Sequence, residues 1–151
     1  MKSRRLAIGS AVFVVGGILG LALGRMGPIA VVRQTGQTDV MQGYALFNEA
    51  DHAMRQGLST DAHTWVVQGT AYLVASAYPL RQLGIRHASS VASYLQTAEY
   101  ALWQGQATPH QKAVLRAFAQ AFSPFAHKNF GSISNTPLQK AFDQVQTAIS
   151  G

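Results

Sequence analysis

The chain has 151 residues, no cysteine, and 12 Lys and Arg against 6 Asp and Glu, a formal net charge of +6. Without cysteine there can be no disulfide, zinc finger, thiolate-held iron–sulfur cluster, haem attachment through Cys-x-x-Cys-His or thiol catalysis. Residues 1–37 hold Lys2, Arg4, Arg5, Arg25 and Arg33 and no acid, while residues 38–151 hold seven bases and all six acids, so the excess charge belongs to the N-terminus and no basic nucleic-acid face is expected.

The first element is Met1–Arg5, a positive start, followed by an uncharged run from Leu6 to Gly24. At the rise of an α-helix this run covers about 28 Å, close to the hydrocarbon thickness of a bilayer. Residues 1–24 therefore read as a signal-anchor transmembrane helix, longer than the usual apolar region of a cleaved signal. The alternative is secretion after cleavage near Gly24, where Ala22 and Gly24 supply small residues. The bases before the run place the N-terminus in the cytoplasm and the remaining chain outside, at the cell membrane. Gly16, Gly20 and Gly24 share one helix face, which suits close packing against a protein partner or a second copy in lipid. Residues 25–37, with Pro28 and Gly36, read as a linker.

Residues 38–151 read as one extracytoplasmic all-α domain, a bundle of about four to five helices. Apolar residues recur at helical spacing in four stripes: Val40, Tyr44, Phe47, Met54 and Leu58; Val91, Leu95, Ala98 and Leu102; Leu115, Phe118, Phe122 and Phe125; and Leu138, Phe142, Val145 and Ile149. Between the first two lies Thr64–Leu80, seventeen residues without a charge. It reads as a buried central helix, with a β-hairpin turning at Gln68-Gly69 as the competitor. Gly57, Gly84 and Gly105 mark the stops between stripes. Thr108-Pro109-His110-Gln111 and Thr136-Pro137-Leu138-Gln139 each predict a capping box.

Candidate chemistry is sparse. The five histidines are scattered, and the densest constellation is Glu49-Ala-Asp51-His52. Glu-x-x-His sets a carboxylate and an imidazole on one helix face, within reach of one metal. Glu49, Asp51, His52 and a distant His63 are the metal candidates, although a dinuclear centre would need more glutamates than Glu49 and Glu99. Asp51 also falls within the first apolar stripe, where a carboxylate must pair or take up a proton; Arg55, one turn on, is its expected partner. Glu99, Tyr100 and Trp103 make a candidate partner patch, Tyr100 and Trp103 pointing away from the second stripe. No Gly-x-Ser-x-Gly, phosphate-binding glycine loop or His-Glu-x-x-His occurs. No catalytic residue and no cofactor are assigned.

Only 12% of residues are charged, against about 25% in ordinary soluble domains. Two explanations compete: an acidic exterior, where carboxylates lose their charge, or a surface covered by lipid or a partner. The function expected is that of a membrane-anchored interaction or accessory subunit. The alternatives are a metal- or haem-binding bundle ligated through His52, His63 or Met54 and, more remotely, a filament subunit with an apolar N-terminal helix.

Overall fold

The computed structural model describes residues 27–129 and 131–151. Among them are five α-helices and no strand: α1 Pro28–Arg55, α2 Ser59–Gln82, α3 Ala88–Trp103, α4 Pro109–Phe122 and α5 Asn135–Ser150, with a 3₁₀ turn at Ser123–Phe125 after α4. The chain divides into a unit ending at Val31, of which only Gly27–Val31 are described, and a unit Val32–Gly151 that holds the core. The described residues form an all-helical fold, as the stripes predict. No helix among the described residues is long and apolar enough to cross a membrane. The run Leu6–Gly24, with Gly16, Gly20 and Gly24, lies outside the described residues.

Residues 28–37, read from the sequence as part of a linker, are the first ten residues of α1. Proline is compatible with the first helical turn, where its missing N–H would have no partner. Gly36 does not break the helix because tertiary packing demands it. Its Cβ, if present, would stand 3.0 Å from a methyl of Leu80. Gly43 is tighter still, with a Cβ position 2.8 Å from Leu73 Cγ and 3.0 Å from the Gly69 carbonyl oxygen. Gly69 answers from α2, where a Cβ would meet the Phe47 ring at 2.8 Å. The order of these contacts (Gly36 with Leu80, Gly43 with Leu73) makes α1 and α2 antiparallel. Gly57, at φ 74°, closes the turn between them.

α2 is helical throughout, including Gln68-Gly69, so the hairpin does not form. It is not buried all round, however. Val66, Leu73 and Leu80 face the core, while Val67, Tyr72, Val74 and Tyr78 are exposed. A helix with neighbours on one side only must leave its other side to solvent, and the sequence could not show which.

α3 packs on α2, α4 and α5, and α4 packs on α5. The centre is aromatic: Phe118 lies 5.9 Å from Tyr44, 6.2 Å from Phe47 and 4.8 Å from Phe122 between ring centroids, and Phe122 lies 5.1 Å from Phe142. Two polar ties, one buried and one half-buried, hold connections in place. Gln37, fully buried on α1, donates to Ile133 O at 2.6 Å and accepts from the N–H groups of Gly131 and Ile133. It thereby fixes the segment leading into α5. Asn135 donates to Leu83 O at 3.1 Å, tying the start of α5 to the α2–α3 connection.

The capping box at α4 is present in full: Gln111 N–H donates to Thr108 Oγ1 at 3.1 Å and Thr108 N–H to Gln111 Oε1 at 2.9 Å. The second expected box is absent. α5 starts one residue before Thr136, with Ser134 at its cap position and no side-chain cap. Gln139 is engaged elsewhere, accepting from Arg86 N–H at 2.7 Å and donating to Asp143 at 2.7 Å. A long-range partner has outcompeted the local one.

Two substitutions test this frame. Gly43→Ala should gain up to about 1 kcal/mol of helix propensity if packing were loose. Overpacking against Leu73 and the Gly69 carbonyl should instead make it destabilising by about 1–3 kcal/mol, read as a lowered thermal midpoint. Gln37→Leu should destabilise by about 2–3 kcal/mol, because it strands the N–H and carbonyl of buried Ile133 and the half-buried N–H of Gly131; urea unfolding measures it.

Candidate functional site

A pocket of about 340 Å³ opens where α1, α3 and α4 meet. Tyr44, Phe47, Asn48 and Asp51 enter from α1, Glu99 and Leu102 from α3, and Lys112, Leu115, Arg116, Phe118 and Ala119 from α4. These sets follow from helical spacing. Tyr44, Phe47 and Asp51 are three and four residues apart, as are Lys112, Leu115, Arg116 and Ala119, so each set falls on one face. The walls are mostly apolar, with four ionisable side chains among them.

Glu99 is the polar centre. It retains 5% of its exposure, and its Oε2 has no hydrogen-bond partner among the described residues. Burial, with the nearby negative charge of Asp51 as the smaller cause, pushes its carboxyl up from 4.5 to about 8. The group is therefore mostly protonated near neutrality, able to donate as well as accept. Asp51 pairs with Arg55 one turn along α1, at a half-exposed position, the partnership the sequence indicated. Lys112 and Arg116 are solvent-exposed and line the same pocket. Away from this site, half-buried Asp39 on α1 is likewise raised, from 3.8 to about 6, by burial.

The structure rearranges the sequence-level candidates. Asp51, a metal candidate, and Glu99, a patch candidate, come together in one pocket. Glu49 and His52 are exposed, and His52 Nε2 lies 2.8 Å from Gln56 Nε2. His63 stacks on Trp103 with ring centroids 4.3 Å apart, and Met54 is half-buried. No group of three or more His, Asp or Glu among the described residues could hold a metal ion.

Glu99, Tyr100 and Trp103 do not form one exposed surface. Glu99 points inward, Tyr100 is half-buried, and Trp103 Nε1 donates to Ser59 O at 3.2 Å, closing α3 against the start of α2. The signal for Glu99 was present: it lies four residues after Leu95 and three before Leu102, on the inward face. Its sequence neighbours Tyr100 and Trp103 obscured it.

Glu99 and Asp39 give the stability a definite pH slope. A carboxyl whose pKa is higher folded than unfolded retains a proton that the unfolded chain releases, so stability falls as pH rises. The Glu99 contribution is complete below about pH 4.5 and lost as pH climbs through about 8. Glu99→Gln, neutral at every pH, should unfold at a higher temperature than the wild type at pH 8.5. The difference between the two should disappear at pH 4, as measured by circular dichroism melts.

No family model, curated protein or solved structure matches the chain, so the residues themselves carry the functional reading.

Proposed function

We propose that this protein is a single-pass, membrane-anchored accessory subunit whose helical bundle lies outside the cytoplasm and engages an amphipathic helix of a partner protein. The observation that carries this reading is the exposed face of α2. Val67, Ala71, Val74 and Tyr78 recur at i, i+4, i+7 and i+11, and all four are exposed. Tyr78 retains 72% of its surface. No charge occurs anywhere in Thr64–Leu80. The spacing is that of a helix-packing seam, and the lack of charge with tyrosine present matches the core of a protein interface.

The anchor is the uncharged run Leu6–Gly24 behind Lys2, Arg4 and Arg5, with Gly16, Gly20 and Gly24 available for contact in the bilayer. The raised carboxyls Asp39 and Glu99 add support for an exterior setting that is at times acidic, because both favour the fold on the acid side.

A photo-reactive amino acid placed at Tyr78, with Lys140 on α5 as the reference position, tests the reading in native membranes. Irradiation should join Tyr78 to a different protein and leave Lys140 unjoined. Val74→Glu should abolish the adduct while changing stability by less than about 0.5 kcal/mol. Adducts to lipid or to the chain's own copies alone, or recovery of the protein in the soluble fraction, would overturn the proposal.

A further inference from the structure

Beyond the role of an accessory subunit, we infer that the pocket between α1, α3 and α4 is a binding site for a small amine with an apolar body, its ammonium held by the Glu99 and Asp51 carboxyls. Three observations carry this. The pocket has a volume of about 340 Å³, the lower end of the range in which small-molecule sites fall. Its walls include the rings of Tyr44, Phe47 and Phe118, apolar surfaces that also attract a cation held over their faces. Finally, Glu99 is 5% exposed and its Oε2 is unpartnered among the described residues. A buried carboxyl oxygen without a hydrogen-bond partner is unfavourable in the empty protein, and a ligand N–H supplies a partner once the carboxyl gives up its proton.

Burial, rather than the count of charges around the pocket, decides the sign of the ligand. Asp51 comes from α1, Glu99 from α3, and Lys112 and Arg116 from α4. The two bases are exposed, and hydrated side chains of this length lose little by staying unpaired. Glu99 is the desolvated member of the set, so its ionised form gains most from an opposite charge. An anion would meet the Asp51 carboxylate and leave Glu99 as the uncharged acid, so it forms no ion pair with the buried member of the set. Lys112 and Arg116 instead discriminate against ligands with a second positive charge.

Binding then has a balanced proton exchange. Near neutral pH the empty site holds Glu99 as the neutral acid. An entering ammonium pairs with the carboxylate, and the Glu99 proton leaves to solvent, one for each amine bound. Affinity for the amine therefore rises as pH increases from 6 to 8.

Isothermal titration calorimetry of the full chain in lipid nanodiscs tests this with 2-phenylethylamine, 2-phenylethanol and 3-phenylpropionate. The amine should bind saturably, at least about tenfold tighter than the alcohol. At pH 7 its heat should vary with the buffer's ionisation enthalpy as release of a proton requires. Glu99→Gln should weaken the amine by about tenfold or more without loss of helical signal. Asp51→Asn, at a half-exposed position, should weaken it less. Tighter binding of 3-phenylpropionate, unchanged amine affinity in both variants, absence of proton release, or no saturable heat at millimolar amine would each overturn the inference. None of these outcomes bears on the α2 face, which the cross-linking experiment reads independently.

Discussion

The architecture depends on how closely α1 and α2 approach. Gly43 on one helix and Gly69 on the other leave no room for a methyl group, and Gly36 leaves little, so the two backbones come together where ordinary side chains would hold them apart. Phe47 can then lie over Gly69 and Leu73 against Gly43, while Tyr44 and Phe47 extend towards Phe118 on α4. The glycines carry an intrinsic penalty of about 1 kcal/mol each within a helix, offset by the dispersion contacts that close approach allows. With this pair in place, α3 covers α2, and α4 and α5 complete the aromatic centre around Phe122.

The same arrangement explains how so few charges are distributed. α2 has neighbours on one side only, and its outer side is an uncharged seam ending at Tyr78. The acids that enter the interior behave differently according to their company. Asp51 stays at the surface with Arg55, whereas Glu99, without a described partner, holds its proton to about pH 8. A protein that surrounds a carboxyl with leucine and aromatic rings keeps a group whose charge depends on what occupies the space beside it. The seam and the pocket are separate: one is a face of α2, to which no pocket-lining residue belongs, and the other is a cleft formed by the remaining helices of the α1–α4 set.

Most of the helical content was legible from residue spacing. The stripes containing Leu95, Phe118 and Phe142 are buried, and Gly57, Gly84 and Gly105 all take positive φ at the turns where they were expected. The capping box at Thr108 was legible because both of its hydrogen bonds close within four residues. Its counterpart at Thr136 failed because Gln139 meets the backbone of Arg86, fifty-three positions away. Gly36 looked like a helix stop for the same reason: its purpose lies in Leu80, on another helix. Of the pocket, Asp51 and its pairing with Arg55 were legible, but the approach of Glu99, Lys112 and Arg116 was not. Three helices had to converge before those side chains shared a space.

What the sequence determined by itself is local. It set where most helices stop, which stripe of each is apolar, and how the charge is divided between a basic N-terminus and a nearly neutral remainder. All of these depend on interactions spanning a few residues or on composition. The tertiary structure decided the rest: which side of α2 is covered, why glycines lie inside helices, and that a buried glutamate meets an aspartate and two bases across a pocket. Those outcomes depend on contacts between residues far apart in the chain, and periodicity along one helix carries no information about what stands opposite it.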